Sequence, residues 1–149
     1  KNAVGLSRIA KQKCVEKNDN DVIVVLFRDK DGTNSSSSTL WNDKIKSMET
    51  AFAQEEINGI PMIPNPKSEA WLICALKNNS YQHCEQLEER SGNDDSPNNL
   101  KDELKAILVT IGKEYNNINE MIKNESIDIY KIKMPSFDYF LKKLESILS

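Results

Sequence analysis

The chain has 149 residues with 38% apolar content, which suits one folded domain with a real core. A formal net charge of −3 and a pI near 5.3 exclude the broad basic surface of a non-specific nucleic-acid binder, but not local contacts where bound metal offsets acidic residues. No apolar run approaches the roughly 20 residues of a membrane helix, so no membrane partner is expected.

Residues 1–18 read as a helix with Val4, Leu6, Ile9, Ala10 and Cys14 as an imperfect apolar stripe, ended by Asn18-Asp19-Asn20-Asp21. The start, Lys1-Asn2-Ala3-Val4, has neither Met nor a signal-peptide core, so a chain trimmed at its start is one expectation. A β-branched run at 22–28 predicts a buried strand, and the serine-rich 34–38 stretch a loop. Trp41, Ile45, Met48 and Phe52 predict a helix by their spacing. Ile60-Pro61-Met62-Ile63 predicts a short second strand, with Pro61 placing it at an edge or a strand start.

Asn65-Pro66 signals a helix start, Asn as cap and Pro as first helical residue, with Ala70, Trp71, Cys74 and Ala75 inward. A short helix is expected near 80–89, then a loop at 91–95. Ser96-Pro97 is expected to cap a helix with Leu100, Leu104, Ile107, Leu108 and Ile111 as its core face. The Asn-rich 116–126 stretch reads as loop with one helical turn. From Pro135 a last helix carries Phe137, Phe140, Leu141, Leu144, Ile147 and Leu148 on one side. The expected class is α/β with a small, mostly parallel sheet and a helical C-terminal part. A two-stranded sheet is marginal, so a further strand is expected at 127–132 and others upstream of Lys1.

The junction Arg28-Asp29-Lys30-Asp31-Gly32-Thr33 carries the first functional expectation. Strand side chains alternate, so Asp29 and Asp31 project the same way where ligands of open α/β sheets bind. Two converging carboxylates repel unless a cation or a shared proton relieves them, and Mg²⁺ suits such a pair. Glu69 falls in the first turn of the helix after the second strand, where an acid also favours the helix dipole. Lys101 falls in the first turn of a later helix, where the dipole disfavours a cation; breaking that rule hints at function. Lys67 and Ser68 read as ordinary solvent and capping residues. His83, the single His, has no zinc spacing to Cys74 or Cys84. Cys14, Cys74 and Cys84, odd in number and without paired spacing, point to reduced thiols and a cytoplasmic protein.

A strand ending in Arg28-Asp29-Lys30-Asp31, then Ile60-Pro61-Met62-Ile63-Pro64-Asn65-Pro66-Lys67-Ser68-Glu69-Ala70-Trp71-Leu72, then Ser96-Pro97-Asn98-Asn99-Leu100-Lys101 and Pro135-Ser136-Phe137, resembles bacterial TOPRIM-like proteins related to the overcoming-lysogenization-defect nucleases. The resemblance spans roughly residues 20–149, within a single domain 1–149. It implies metal-dependent phosphodiester hydrolysis with Mg²⁺ or Mn²⁺ held by Asp29, Asp31 and Glu69, and Lys101 stabilising charge at the transferring phosphate. It further implies nucleic acid as substrate, DNA ahead of RNA, an ATPase partner and a place in anti-phage defence. TOPRIM sites also use a Glu on an earlier strand; none is read before residue 22, Glu16 being helical, so that Glu lies upstream of Lys1 or catalysis is lost.

Two alternatives stay open. Asp29-Lys30-Asp31-Gly32-Thr33 also matches the DxDGT opening of haloacid-dehalogenase-like phosphatases, whose first Asp is a nucleophile and second an acid/base. That family needs a later acidic motif after a strand, and Asn93-Asp94-Asp95 follows a helix-like stretch instead. The other alternative is a non-catalytic module that docks on a partner ATPase.

Overall fold

The computed structural model describes residues 1–19, 21–30, 39–80 and 82–149. Its elements in chain order are α1 (Asn2–Lys17), β1 (Ile23–Phe27), α2 (Leu40–Gln54), β2 (Asn58–Met62), α3 (Ser68–Leu76), α4 (Leu100–Thr110), α5 (Ile118–Lys123) and α6 (Pro135–Leu148). Short 3₁₀ turns fall at Cys84–Glu89, Tyr115–Asn117 and Ile129–Lys131. The class is α/β, with a small parallel sheet among helices. The described residues gather into two compact units, one drawn from Lys1–Arg28, Thr33–Ile63 and Tyr139–Ser149, the other from Asp29–Gly32 and Pro64–Asp138.

In the first unit β1 and β2 pair in parallel, with Val24 opposite Gly59 and Leu26 opposite Pro61. The β-branched run makes β1 a strand, and its alternation turns Val24 and Leu26 toward one core while Val25 and Phe27 remain exposed. Ala3 and Ala10 of α1 and Ile45, Met48 and Phe52 of α2 complete that core. The inner face of α1 is Ala3, Ser7 and Ala10, whereas Ile9 of the expected stripe is 55% exposed. Ser7 is buried at no cost in unmade bonds because its hydroxyl donates to the Ala3 carbonyl at 2.8 Å. Asn18 ends α1 in the left-handed region (φ 51°), which Asn tolerates. Trp41 donates its indole N–H to the Ile63 carbonyl at 2.7 Å and meets Tyr139 edge to face, with ring centroids 5.4 Å apart. Tyr139 and Lys143, both on α6, converge on the Glu49 carboxylate. Burial there raises the Glu49 pKa, but the hydrogen bonds from Lys143 and Tyr139 outweigh it and leave the carboxyl below its ordinary range.

The second unit is built on α3, which is buried nearly all round, with Ala70, Trp71, Ile73, Cys74 and Ala75 inside. Trp71 meets its polar need through the Ser136 hydroxyl at 2.8 Å and stacks edge to face on Phe137. Leu100, Leu104 and Leu108 turn α4 inward, whereas Ile111 lies past the helix end and is 47% exposed. On α6 only Phe137 of the expected apolar side is buried, and Leu148 is 67% exposed.

Four sequence expectations are corrected. The 127–132 stretch is not a strand: Ile127 and Ile132 are buried anchors around a 3₁₀ turn fixed by the Asp128 side chain, which accepts from the Tyr130 amide. Asn65 does not cap α3, because its amide donates to Glu88 at 3.1 Å and the helix begins at Ser68. Ser96 does not cap α4; its amide closes a turn on the Asn93 carbonyl, and Asn99 takes the cap by accepting from the Asp102 amide at 2.8 Å. The cysteines are not all reduced: Cys74 and Cys84 form a disulfide with Cα atoms 5.5 Å apart, while Cys14 is free. The turn between α3 and the Cys84–Glu89 segment brings the two sulfurs together, a closure that their spacing of ten does not reveal. His83 is exposed.

Candidate functional site

Asp29 lies two residues past the end of β1 and belongs to the second unit. Its Oδ1 accepts the backbone N–H of Ser68 at 2.8 Å, across 39 residues of chain. A carboxylate so placed satisfies an open donor of α3 and meets the positive end of the helix dipole. The neighbouring Lys30 amide donates to the Pro64 carbonyl at 3.0 Å, which ties this stretch of chain down beside the approach to α3.

Glu69, one residue into α3, is 7% exposed. A buried carboxylate is costly unless hydrogen-bonded, and both oxygens have hydroxyl partners: Tyr115 Oη donates to Oε1 at 2.8 Å and Ser68 Oγ to Oε2 at 3.4 Å. The Lys101 ammonium lies 5.9 Å from the centre of the Tyr115 ring, within cation–π range. Of the four sequence-predicted residues, Glu69 and Lys101 thus meet at one phenol, and Asp29 is tied to the start of the helix that carries Glu69. Asp31, the fourth, lies outside the described residues.

Partial burial, the hydrogen bond to Glu69 and the charges of Glu69, Asp94 and Asp29 together push the Tyr115 phenol up to about 12. It therefore stays a proton donor to Glu69 throughout the neutral range. The sign of the linkage follows: a phenol whose folded pKa is raised adds stability that is complete below its unfolded value near 10 and is lost as pH climbs from there through about 12. Spectrophotometric titration of phenolate absorbance is expected to lose a late-ionising tyrosine in Tyr115→Phe. A titration curve that drops an ordinary tyrosine instead would refute the coupling to Glu69.

Sequence reasoning passed over three members of this cluster. Lys67 is no solvent residue: it is 8% exposed, and its ammonium donates to the Gly92 carbonyl at 3.2 Å and to Asp94 Oδ1. Asp94, on the loop before α4, is held below the usual carboxylate range, first by the Lys67 hydrogen bond and further by the charges of Lys67 and Lys101. Tyr115 follows α4 in a stretch without apolar periodicity, which left it no signal. A buried Lys and a Tyr tying Glu69 to Lys101 are tertiary facts.

Among the described residues, no three His, Cys, Asp or Glu side chains are grouped to hold a metal ion. Of the three expected ligands only Asp29 and Glu69 are therefore placed, and both offer the hard oxygen donors that Mg²⁺ takes. None of the described helices is long and apolar enough to cross a membrane.

Fold and site define an α/β protein whose β1 exit, helix-start acid and late lysine converge in one acid–base cluster. Residues 4–145 match the family described as a domain of unknown function, DUF4276, and the chain belongs to that family. No curated protein and no solved structure matches the chain.

Proposed function

We propose that the protein is a metal-dependent phosphodiesterase of TOPRIM type that cleaves nucleic acid, DNA ahead of RNA, with an ATPase partner in anti-phage defence. The observation that carries this reading is the meeting of Glu69 and Lys101 at Tyr115, with Asp29 bound to the Ser68 amide at the start of the same helix, from positions far apart in the chain. Asp29, Asp31 and Glu69 would hold Mg²⁺ or Mn²⁺. The bound ion supplies Lewis-acid stabilisation of a phosphate and lowers the pKa of a coordinated water. Glu69 is oriented by the Tyr115 and Ser68 hydroxyls, and Lys101 brings positive charge toward the phosphate, where such charge is worth most in the transition state. The resemblance of the ordered motifs to TOPRIM-like proteins supports the same reading.

Nicking of plasmid DNA and cleavage of RNA, measured with Mg²⁺ or Mn²⁺ in the presence of any ATPase partner, test it. Nicking that disappears in Asp31→Ala is the expected result. Hydrolysis of small phosphate esters without nicking would instead assign the DxDGT-type phosphatase. No hydrolysis of either kind, with partner binding intact, would assign the docking module.

A further inference from the structure

Lys67 immediately precedes α3 and is 8% exposed, an expensive place for a lysine unless its charge is paired. Its ammonium meets the carboxylate of Asp94, whose side chain is 55% exposed on the loop before α4. Arg90 pins the base of that loop, through Asn98 and Glu103 on its far side. An Asx turn at Asn93 shapes its backbone, and Asn99 ends it by capping α4. The tip, by contrast, is tied down by Lys67 through the Gly92 carbonyl and the Asp94 carboxylate.

We propose that Lys67 and Lys101 form a seat for one phosphate group of the substrate, and that Asp94 is a built-in anion that occupies this seat until the substrate displaces it. The charge bookkeeping favours the exchange. A carboxylate and a phosphodiester each carry one negative charge, so the buried Lys67 keeps a counter-ion before and after. The Asp94 carboxylate already places one anion there, and its charge acts on the Tyr115 phenol together with those of Glu69 and Asp29. Lys101 joins the seat because its ammonium lies 5.9 Å from the centre of the Tyr115 ring and its charge also acts on Asp94. A phosphate has more acceptor oxygens than a carboxylate and can serve both ammonium groups at once. Displacement frees the loop tip, which makes loop position a report of occupancy.

The identity of the phosphate as part of a nucleic acid rests on the phosphodiesterase reading, so the test measures binding without catalysis. Full-length protein is titrated in EDTA against a labelled single-stranded thymidine dodecamer and, separately, against inorganic phosphate. An internal competitor lowers apparent affinity by the fraction of time that the seat is free, so Asp94→Asn is expected to bind both probes roughly fivefold or more tightly. Lys67→Met is expected to lose that gain and to lower the salt slope of oligonucleotide binding by about one. If Lys67→Met fails to fold by circular dichroism, Lys101→Met on the more exposed lysine carries the same arm. Asp94→Asn binding neither probe better than wild type overturns the seat, whatever the nicking assay shows. A gain for inorganic phosphate alone upholds the seat and removes nucleic acid as its ligand.

Discussion

Phe52→Ala is expected to destabilise the protein by about 3–5 kcal/mol, the range for deleting a buried aromatic from a core. Phe52 is 2% exposed and its ring lies directly over the backbone of β2 at Gly59. A Cβ built on Gly59 would stand 2.0 Å from Phe52 Cγ and 2.3 Å from both Cδ atoms. Those ring atoms sit close to their own backbone and cannot swing aside. Glycine at 59 is therefore a packing requirement, and Gly59→Ala alone is expected to cost about 1–3 kcal/mol as overpacking. With Phe52 already truncated, the added methyl enters vacated space. The double variant should then be clearly more stable than the sum of the two losses predicts, a coupling that urea denaturation can measure. Strict additivity would show that helix α2 does not lean on β2 through this pair.

If the protein is the proposed phosphodiesterase, Asp29→Asn is expected to abolish most nicking, by about 10²–10³-fold, while leaving the melting temperature nearly unchanged. Asn keeps an acceptor for the Ser68 N–H but removes the charge. Asp29→Ala should lose activity equally and in addition cost about 1 kcal/mol, as removal of a helix cap does. Comparing the two variants separates the docking of α3 from the chemistry. Wild-type nicking in Asp29→Asn would remove Asp29 from the reaction. An unchanged melting temperature in Asp29→Ala would show that α3 does not depend on this carboxylate.

What could be read from the sequence was what neighbouring residues decide among themselves. The β-branched 22–27 run makes β1, and the spacing of Trp41, Ile45, Met48 and Phe52 makes α2, because periodicity and burial act over one or two turns. Asp29, Glu69 and Lys101 stood out because each sits at an element terminus, where charge and backbone donors interact in predictable ways. The α3 cap was misread because a distant side chain outcompeted the local candidate, whereas the α4 cap lay only three residues on, at Asn99. Asp29 reaches the start of α3 from 39 residues away, and Asn65 is drawn instead to Glu88. The burial of Lys67 was invisible for the same reason, since its partner Asp94 lies in a loop 27 residues later. The Cys74–Cys84 bond depends on how a turn closes and not on a spacing rule. The further strand that a marginal two-stranded sheet seemed to require is not supplied by 127–132, where 3₁₀ geometry takes over.

The meeting of Tyr139 and Lys143 with Glu49 also sets an order of events during synthesis. Ninety residues separate Glu49 from Tyr139. The β1–α2–β2 segment thus emerges from the ribosome with Trp41 and Glu49 lacking these two partners, while the whole of the intervening unit is still being made. A ribosome stalled before residue 139 would present a nascent chain whose β1–α2–β2 portion lacks the contacts that Tyr139 and Lys143 make with Trp41 and Glu49.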